Sequence, residues 1–275
     1  MDKNKEFPSF WFALLILFFH ISLQIIISII AYDIGFGFEV GDPAASGFVM
    51  VLSSGIVLSF LLGYKKLSYR QLFNQSSSSL SSMLVLFIIP LLLATGGAVF
   101  WISDITNLLL LYYPISENEY QIFTSLMSSG LTSVIVICLI APFIEEMIFR
   151  GIFLRGFLSN YSALNSILLS SFLFALFHLN MFQIPVAFIL GCFFGWLYVR
   201  TRSLWPSIFG HALYNSFAML SWPSSDLTFD QQSQMMVEFN SLDVIVASIT
   251  ASVLGILILW YILRPIEAVD TESDS

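Results

Sequence analysis

Residues 124–148 read TSLMSSGLTSVIVICLIAPFIEEMI, a run without a charge until Glu145 and Glu146 close it. A helix that crosses the hydrocarbon core of a bilayer needs ~20 mostly apolar residues, and this run supplies them. Seven further apolar runs flank it, at about 10–31, 46–63, 83–102, 163–179, 184–200, 204–221 and 243–263. The fifth to seventh in chain order are short for full spans, at roughly 17 residues each. The sequence therefore predicts an all-α fold. It is a polytopic transmembrane helical bundle of about eight spans, one membrane-embedded domain over residues 1–275, in the cell membrane.

Composition excludes the other classes. Of 275 residues, 57% are hydrophobic and only 10% charged, against roughly 25% charged in a soluble domain. That balance rules out a soluble globular enzyme and a disordered chain. Ten Lys and Arg face 18 Asp and Glu, a net charge of -8. No nucleic-acid partner is expected, because binding one needs a basic surface. Two cysteines, Cys138 and Cys192, lie inside apolar runs and make no disulfide framework.

The bases orient the bundle. Positive charge in short loops marks the cytoplasmic side. Lys3 and Lys5 precede the first span, and Lys65, Lys66 and Arg70 lie between the second and third. Arg150 and Arg155 follow the fourth, Arg200 and Arg202 the sixth, and Arg264 the eighth. With eight spans every base falls on one side, and both termini are cytoplasmic. The opposite loops carry Asp33, Glu39, Asp42, Asp104, Glu117, Glu119, Asp226, Asp230, Glu238 and Asp243 and no base. The apolar stretch from Phe10 to Ala31 exceeds the 7–15 residues of a signal-peptide core, so the first span is expected to remain uncleaved.

Few ionisable groups are left at membrane depth. An ionisable residue there is costly unless paired or hydrated, which makes it a functional candidate. Glu146 and Arg150 are four apart, on one helix face and in the favourable acid-first order. That spacing pairs them and leaves Glu145 free. An unpaired carboxylate at this depth suits a general base or acid, but the three residues also read as an interfacial charge cluster. His211 and Asn215 share a face of the seventh span. They are either packing glue between helices or donors for a developing oxyanion. His178 ends the aromatic run Phe172–Phe177, and His20 stands alone in the first span. Together, two carboxylates, two histidines and an amide on three spans are what water activation plus oxyanion binding requires. The combination resembles a hydrolase of peptide bonds.

Three strings sharpen this. Glu145-Glu146-Met147-Ile148-Phe149-Arg150 fits an EExxxR motif, Phe174-Ala175-Leu176-Phe177-His178 an FxxxH motif, and His211-Ala212-Leu213-Tyr214-Asn215 an HxxxN motif. In order and spacing they resemble the CPBP family, the CAAX proteases and bacteriocin-processing enzymes also called Abi. The resemblance covers residues 120–221, the expected catalytic core, and is similar to type II CAAX prenyl proteases. It implies an intramembrane endopeptidase in which Glu145 and His178 activate water and His211 with Asn215 forms the oxyanion hole. Glu146 and Arg150 would support them. The expected partners are the lipid bilayer and a membrane-associated peptide or protein as substrate. The sequence carries no signal for oligomeric state.

Members of the family are also described as metalloproteases. Catalytic zinc takes three protein ligands and an open position. Glu145, His178 and His211 would supply three, from three helices and without an HExxH pair. The residues favour a metal-free, glutamate-dependent mechanism with no cofactor, zinc being the alternative. Ala44-Ala45-Ser46-Gly47 lacks the first glycine of a GxSG serine site, and Gly35-Phe36-Gly37-Phe38 lacks the aspartate of GxGD. Two other functions compete. One is a non-catalytic membrane scaffold or bacteriocin-immunity protein that acts by binding. The other is a transporter, which an inverted repeat would mark; none is visible.

Overall fold

A computed structural model describes residues 7–34, 41–76, 79–128, 130–222, 229 and 238–264. Of the features read above, Lys3, Lys5, Glu39, Asp226, Asp230, the string Gly35–Phe38 and the C-terminus lie outside the described residues. The helices are α1 (Phe10–Asp33), α2 (Pro43–Lys65), α3 (Tyr69–Phe73), α4 (Leu80–Tyr112), α5 (Glu117–Ser128), α6 (Leu131–Phe157), α7 (Ala163–Phe177), α8 (Gln183–Thr201), α9 (Trp205–Leu220) and α10 (Leu242–Ile262). Each of the eight expected spans has its helix. Six of them, α1, α2, α4, α6, α8 and α10, are long and apolar enough to cross a membrane. α7 and α9, with 15 and 16 residues, are shorter. The chain is a multi-pass membrane protein.

Local chemistry sets the helix ends. Asp42 accepts from the Ala44 and Ala45 N–H groups at 2.6 and 3.3 Å, and Pro43 opens α2 at a position whose N–H has no helical partner anyway. Ser79 and Ser162 cap α4 and α7 the same way. Ser116 and Glu119 form a reciprocal box at the start of α5: Ser116 N–H donates to the Glu119 carboxylate at 3.1 Å and Glu119 N–H to Ser116 Oγ at 3.3 Å. The Ser116 hydroxyl, donating to the Glu119 carboxylate at 2.7 Å, and then the Ser116 N–H hold the Glu119 carboxyl below its ordinary range.

Two boundaries differ from the sequence reading. The expected fourth span, 124–148, starts instead at Leu131 and runs to Phe157. Gly130, at φ +65°, separates α5 from α6, and Arg150, expected just past the end of the fourth span, is wholly buried inside α6. α4 runs ten residues beyond the expected end at 102. Asp104, expected in a loop, is helical and accepts from the N–H and the Nδ2 of Asn240, both at 3.0 Å.

α4 and α10 pack along one another through small residues. A Cβ on Gly97 would strike the Ser248 carbonyl, and one on Gly255 would lie 2.5 Å from the Pro90 carbonyl. Only glycine lets these backbones approach so closely, the usual basis of helix association in lipid. α7 and α8 meet similarly, where a Cβ on Gly191 would lie 2.9 Å from Ser171 Cβ. One apolar core joins α1, α2, α6 and α7 around Phe149, Phe153, Phe157 and Phe174. A second joins α4, α8 and α9 around Leu91, Phe194 and Leu197. The buried charges lie where these two cores meet.

Candidate functional site

α6 is not a uniform α-helix. Residues Val134–Ile140 and Met147–Leu154 are π-helical, and Glu145 and Glu146 end the α-helical segment between them. π segments are rare and concentrate at functional sites. Glu146 is fully buried and Oε1 accepts twice: from Arg150 Nη1 at 2.7 Å and from His211 Nδ1 at 3.0 Å. Arg150, also fully buried, donates from Nη2 to the Gly191 carbonyl at 3.1 Å. Its guanidinium lies over the Phe174 ring at 4.5 Å and the Phe194 ring at 5.6 Å. A buried ion pair persists only when further hydrogen bonds and close packing offset its desolvation, and both are present here.

Glu145 differs from its neighbour. It is buried, yet among the described residues no hydrogen bond to its carboxylate is found. His211 Nε2 lies 3.8 Å from Oε2. That gap is too long for a direct bond. The His211 ring is held on both sides, stacked on Phe194 at 5.1 Å and 20° and edge-on to Phe174 at 5.7 Å.

Asn215, one turn beyond His211 on α9, donates from Nδ2 to the Ile137 carbonyl at 2.9 Å. The reason is in the sequence. In a π ladder the donor to Ile137 is residue 142, which is proline and has no N–H. The adjacent Ala141 gives its N–H to Val136. The Ile137 carbonyl is therefore left to a side chain, and Asn215 takes it. A carboxamide has two N–H donors, so one remains.

His178 is half-buried at the end of α7. Its Nδ1 lies 2.9 Å from the Phe174 carbonyl. With the proton on Nδ1, Nε2 carries a lone pair. Among the described residues no direct contact joins His178 to Glu145. The Phe174 ring lies between the two histidines, edge-on at 4.9 Å to His178 and at 5.7 Å to His211. The structure thus brings Glu145, Glu146, Arg150 and His211 into one connected cluster. Asn215 is anchored beside it, and His178 stands one aromatic ring away.

The three side chains considered for zinc do not converge as ligands. His178 Nδ1 is engaged by a carbonyl and His211 Nδ1 by Glu146. Among the described residues no three His, Cys, Asp or Glu side chains are grouped to hold a metal ion.

His20, read from the sequence as standing alone, has three polar neighbours. Ser54 Oγ is 3.0 Å from Nε2, Ser53 Oγ 3.4 Å and Gln24 Nε2 3.4 Å. Gln24, four residues on, was the signal available in the sequence; the serines come from α2.

Residues 127–217 match the model of the family described as type II CAAX prenyl endopeptidase Rce1-like. The chain is also 28% identical over 124 residues to the "Putative membrane peptidase YdiL" of Bacillus subtilis (strain 168), covering 44% of this chain and 50% of that protein. It thus spans about half the length of the curated relative it matches. No solved structure matches the chain. The resemblance carried by EExxxR, FxxxH and HxxxN stands on these two matches.

Proposed function

We propose, from the premise that residues 127–217 are a CPBP-family core similar to type II CAAX prenyl endopeptidases, that the protein is an intramembrane endopeptidase of glutamic type. The observation that carries this reading is the contrast within one dipeptide. Glu146 is bound through Oε1 to both Arg150 and His211, while Glu145 is buried without a direct hydrogen bond, His211 Nε2 lying 3.8 Å away.

In this reading Glu145 takes a proton from the water it holds, and the water oxygen attacks the carbonyl carbon of the scissile bond. His178, with its Nε2 lone pair, orients the water. The carbonyl oxygen becomes an oxyanion and receives the second N–H of Asn215 and an Nε2–H of His211, whose Nδ1–H stays on Glu146. Fixed donors aimed at developing charge in a dry site are the largest common source of rate enhancement. The tetrahedral intermediate collapses as the C–N bond breaks, and Glu145 returns its proton to the leaving amine. Arg150 neutralises Glu146, which keeps His211 in place. Every proton and electron pair is accounted for without a metal ion. The substrate is a membrane-associated peptide or protein.

The test is cleavage of a library of membrane-anchored peptides by purified protein in detergent, read by mass spectrometry. Glu145→Gln is expected to lower the rate by about 10²–10⁴-fold, the contribution of a positioned acid or base. A chelator is expected to leave wild-type cleavage unchanged. Equal cutting by both proteins would overturn the reading, and chelator sensitivity would replace the glutamic mechanism with a metal-dependent one.

A further inference from the structure

A cavity of about 640 Å³ lies between α1 and α2. Most of α1 faces lipid with large apolar side chains, among them Trp11, Leu15, Phe18 and Phe19, all more than half exposed. The cavity lining is also mostly apolar, with Ile21, Ile25 and Ile29 in it, but it adds four polar side chains. Gln24, Ser28 and Tyr32 of α1 and Ser46 of α2 line it, and so does Leu179, the residue after His178. Leu179 adopts φ +50°, a left-handed conformation uncommon for a branched side chain. The strained turn thus ends α7 where the cavity meets the candidate site. A second connection runs through side chains. Gln24 contacts His20, His20 stacks on Phe177 at 5.3 Å and 19°, and the Phe177 ring lies edge-on to His178 at 6.3 Å.

We infer that the cavity between α1 and α2 seats an extended, unwound segment of a membrane-inserted peptide beside the bond to be cut, an inference that rests on the peptidase reading above. In a helix, the backbone N–H and C=O groups are bonded along the segment and the scissile carbonyl is shielded. Unwinding in hydrocarbon leaves those groups unsatisfied at several kcal/mol each, so irregular backbone at membrane depth survives only against protein or in a wet cavity. The Gln24 carboxamide and the Ser28, Ser46 and Tyr32 hydroxyls are donors and acceptors of the kind such a segment needs. An ordinary lipid tail needs none of them.

The test is a photocrosslink. p-Benzoylphenylalanine replaces Ile25, a lipid-facing cavity residue, in the full chain carrying Glu145→Gln, reconstituted in phosphatidylcholine vesicles. The same replacement at Leu254, on the exposed face of α10, is the control. Two biotinylated membrane-spanning peptides serve as probes, one all-leucine and one with a central Gly-Ser-Gly that weakens its helix. Position 25 is expected to capture the weakened peptide roughly tenfold better than the all-leucine one, given the cost of unwinding that the seat must offset. Position 254 is expected to show no preference, and Ser46→Trp, which fills the cavity, to abolish the preference at 25. Equal capture of both peptides at 25, or the same preference at 254, would overturn the inference. The readout needs no cleavage. A wild type that cuts nothing while position 25 keeps its preference would sink the peptidase reading alone, and cleavage without that preference would sink the cavity alone.

Discussion

Where α10 meets α4, glycine brings two α-helices into backbone contact, and one serine bridges them: Ser252 Oγ donates to the Ala94 carbonyl at 3.2 Å and accepts from Trp101 Nε1 at 3.1 Å. Where α6 meets α9, the ladder widens into π turns. The contacts are an ion pair, a histidine bridge and a side chain on a freed carbonyl. Both interfaces are buried in the same solvent. The first gains its stability from close packing and keeps an α-helical ladder in both helices, interrupted in α4 by Pro90. The second gives up regular bonding at two places and holds charged groups in the space this makes. Regularity and chemical competence are thus divided between two helix pairs.

The comparison can be broken at its strongest point first. Arg150→Met removes the guanidinium and leaves Glu146 buried against His211 alone. Breaking a buried pair typically costs about 3–5 kcal/mol, and thermal unfolding in detergent is expected to show a loss of that order. A loss under about 1 kcal/mol would mean that the α6–α9 interface is held by packing, like α4–α10. Next in size is Gly255→Leu. It pushes a side chain onto the Pro90 carbonyl and is expected to cost about 1–3 kcal/mol by overpacking, with peptide cleavage per folded molecule unchanged. Lost cleavage at full stability would contradict the division. The subtlest change is Pro142→Ala, which supplies an N–H that competes with Asn215 for the Ile137 carbonyl. Cleavage is expected to fall about tenfold, equivalent to ~1.4 kcal/mol in the barrier, while the unfolding temperature holds or rises. Undiminished cleavage would show that the anchor on Asn215 is dispensable.

The fold was largely legible because hydrocarbon imposes one rule, a long apolar run for each helix, and the runs are separated by charge. Reading failed where a charge did not mean surface. Arg150 reads as the base at the end of the fourth span and Asp104 as a loop residue, because a sequence does not show that Gly191 and two aromatic rings surround the one and Asn240 the other. The pairing of Glu146 with Arg150 followed from helical spacing, which survives locally in α6. The contact between Glu146 and His211 did not, because it joins residues 65 apart. Nor did the π segments, which depend on tertiary context. Pro142 was the available hint, since a proline inside a span must orphan some carbonyl. Of the partners of His20, Gln24 is visible one helical turn on in the sequence, whereas Ser53 and Ser54 reach it from α2 and are not.

The 15 residues of α7 carry one more consequence. At 1.5 Å per residue α7 measures about 22 Å, whereas the 33 residues of α4 measure about 50 Å, against a hydrocarbon core of ~30 Å. Leu164, Leu168 and Phe172 place the short helix against lipid. Such a mismatch is relieved by thinning the bilayer locally on one side and by tilting the long helix on the other. The annulus around this protein is therefore uneven, pinched beside α7, and the pinch draws headgroups and their hydration toward His178. A short helix would in this way deliver the reactant that a hydrolase in oil most lacks.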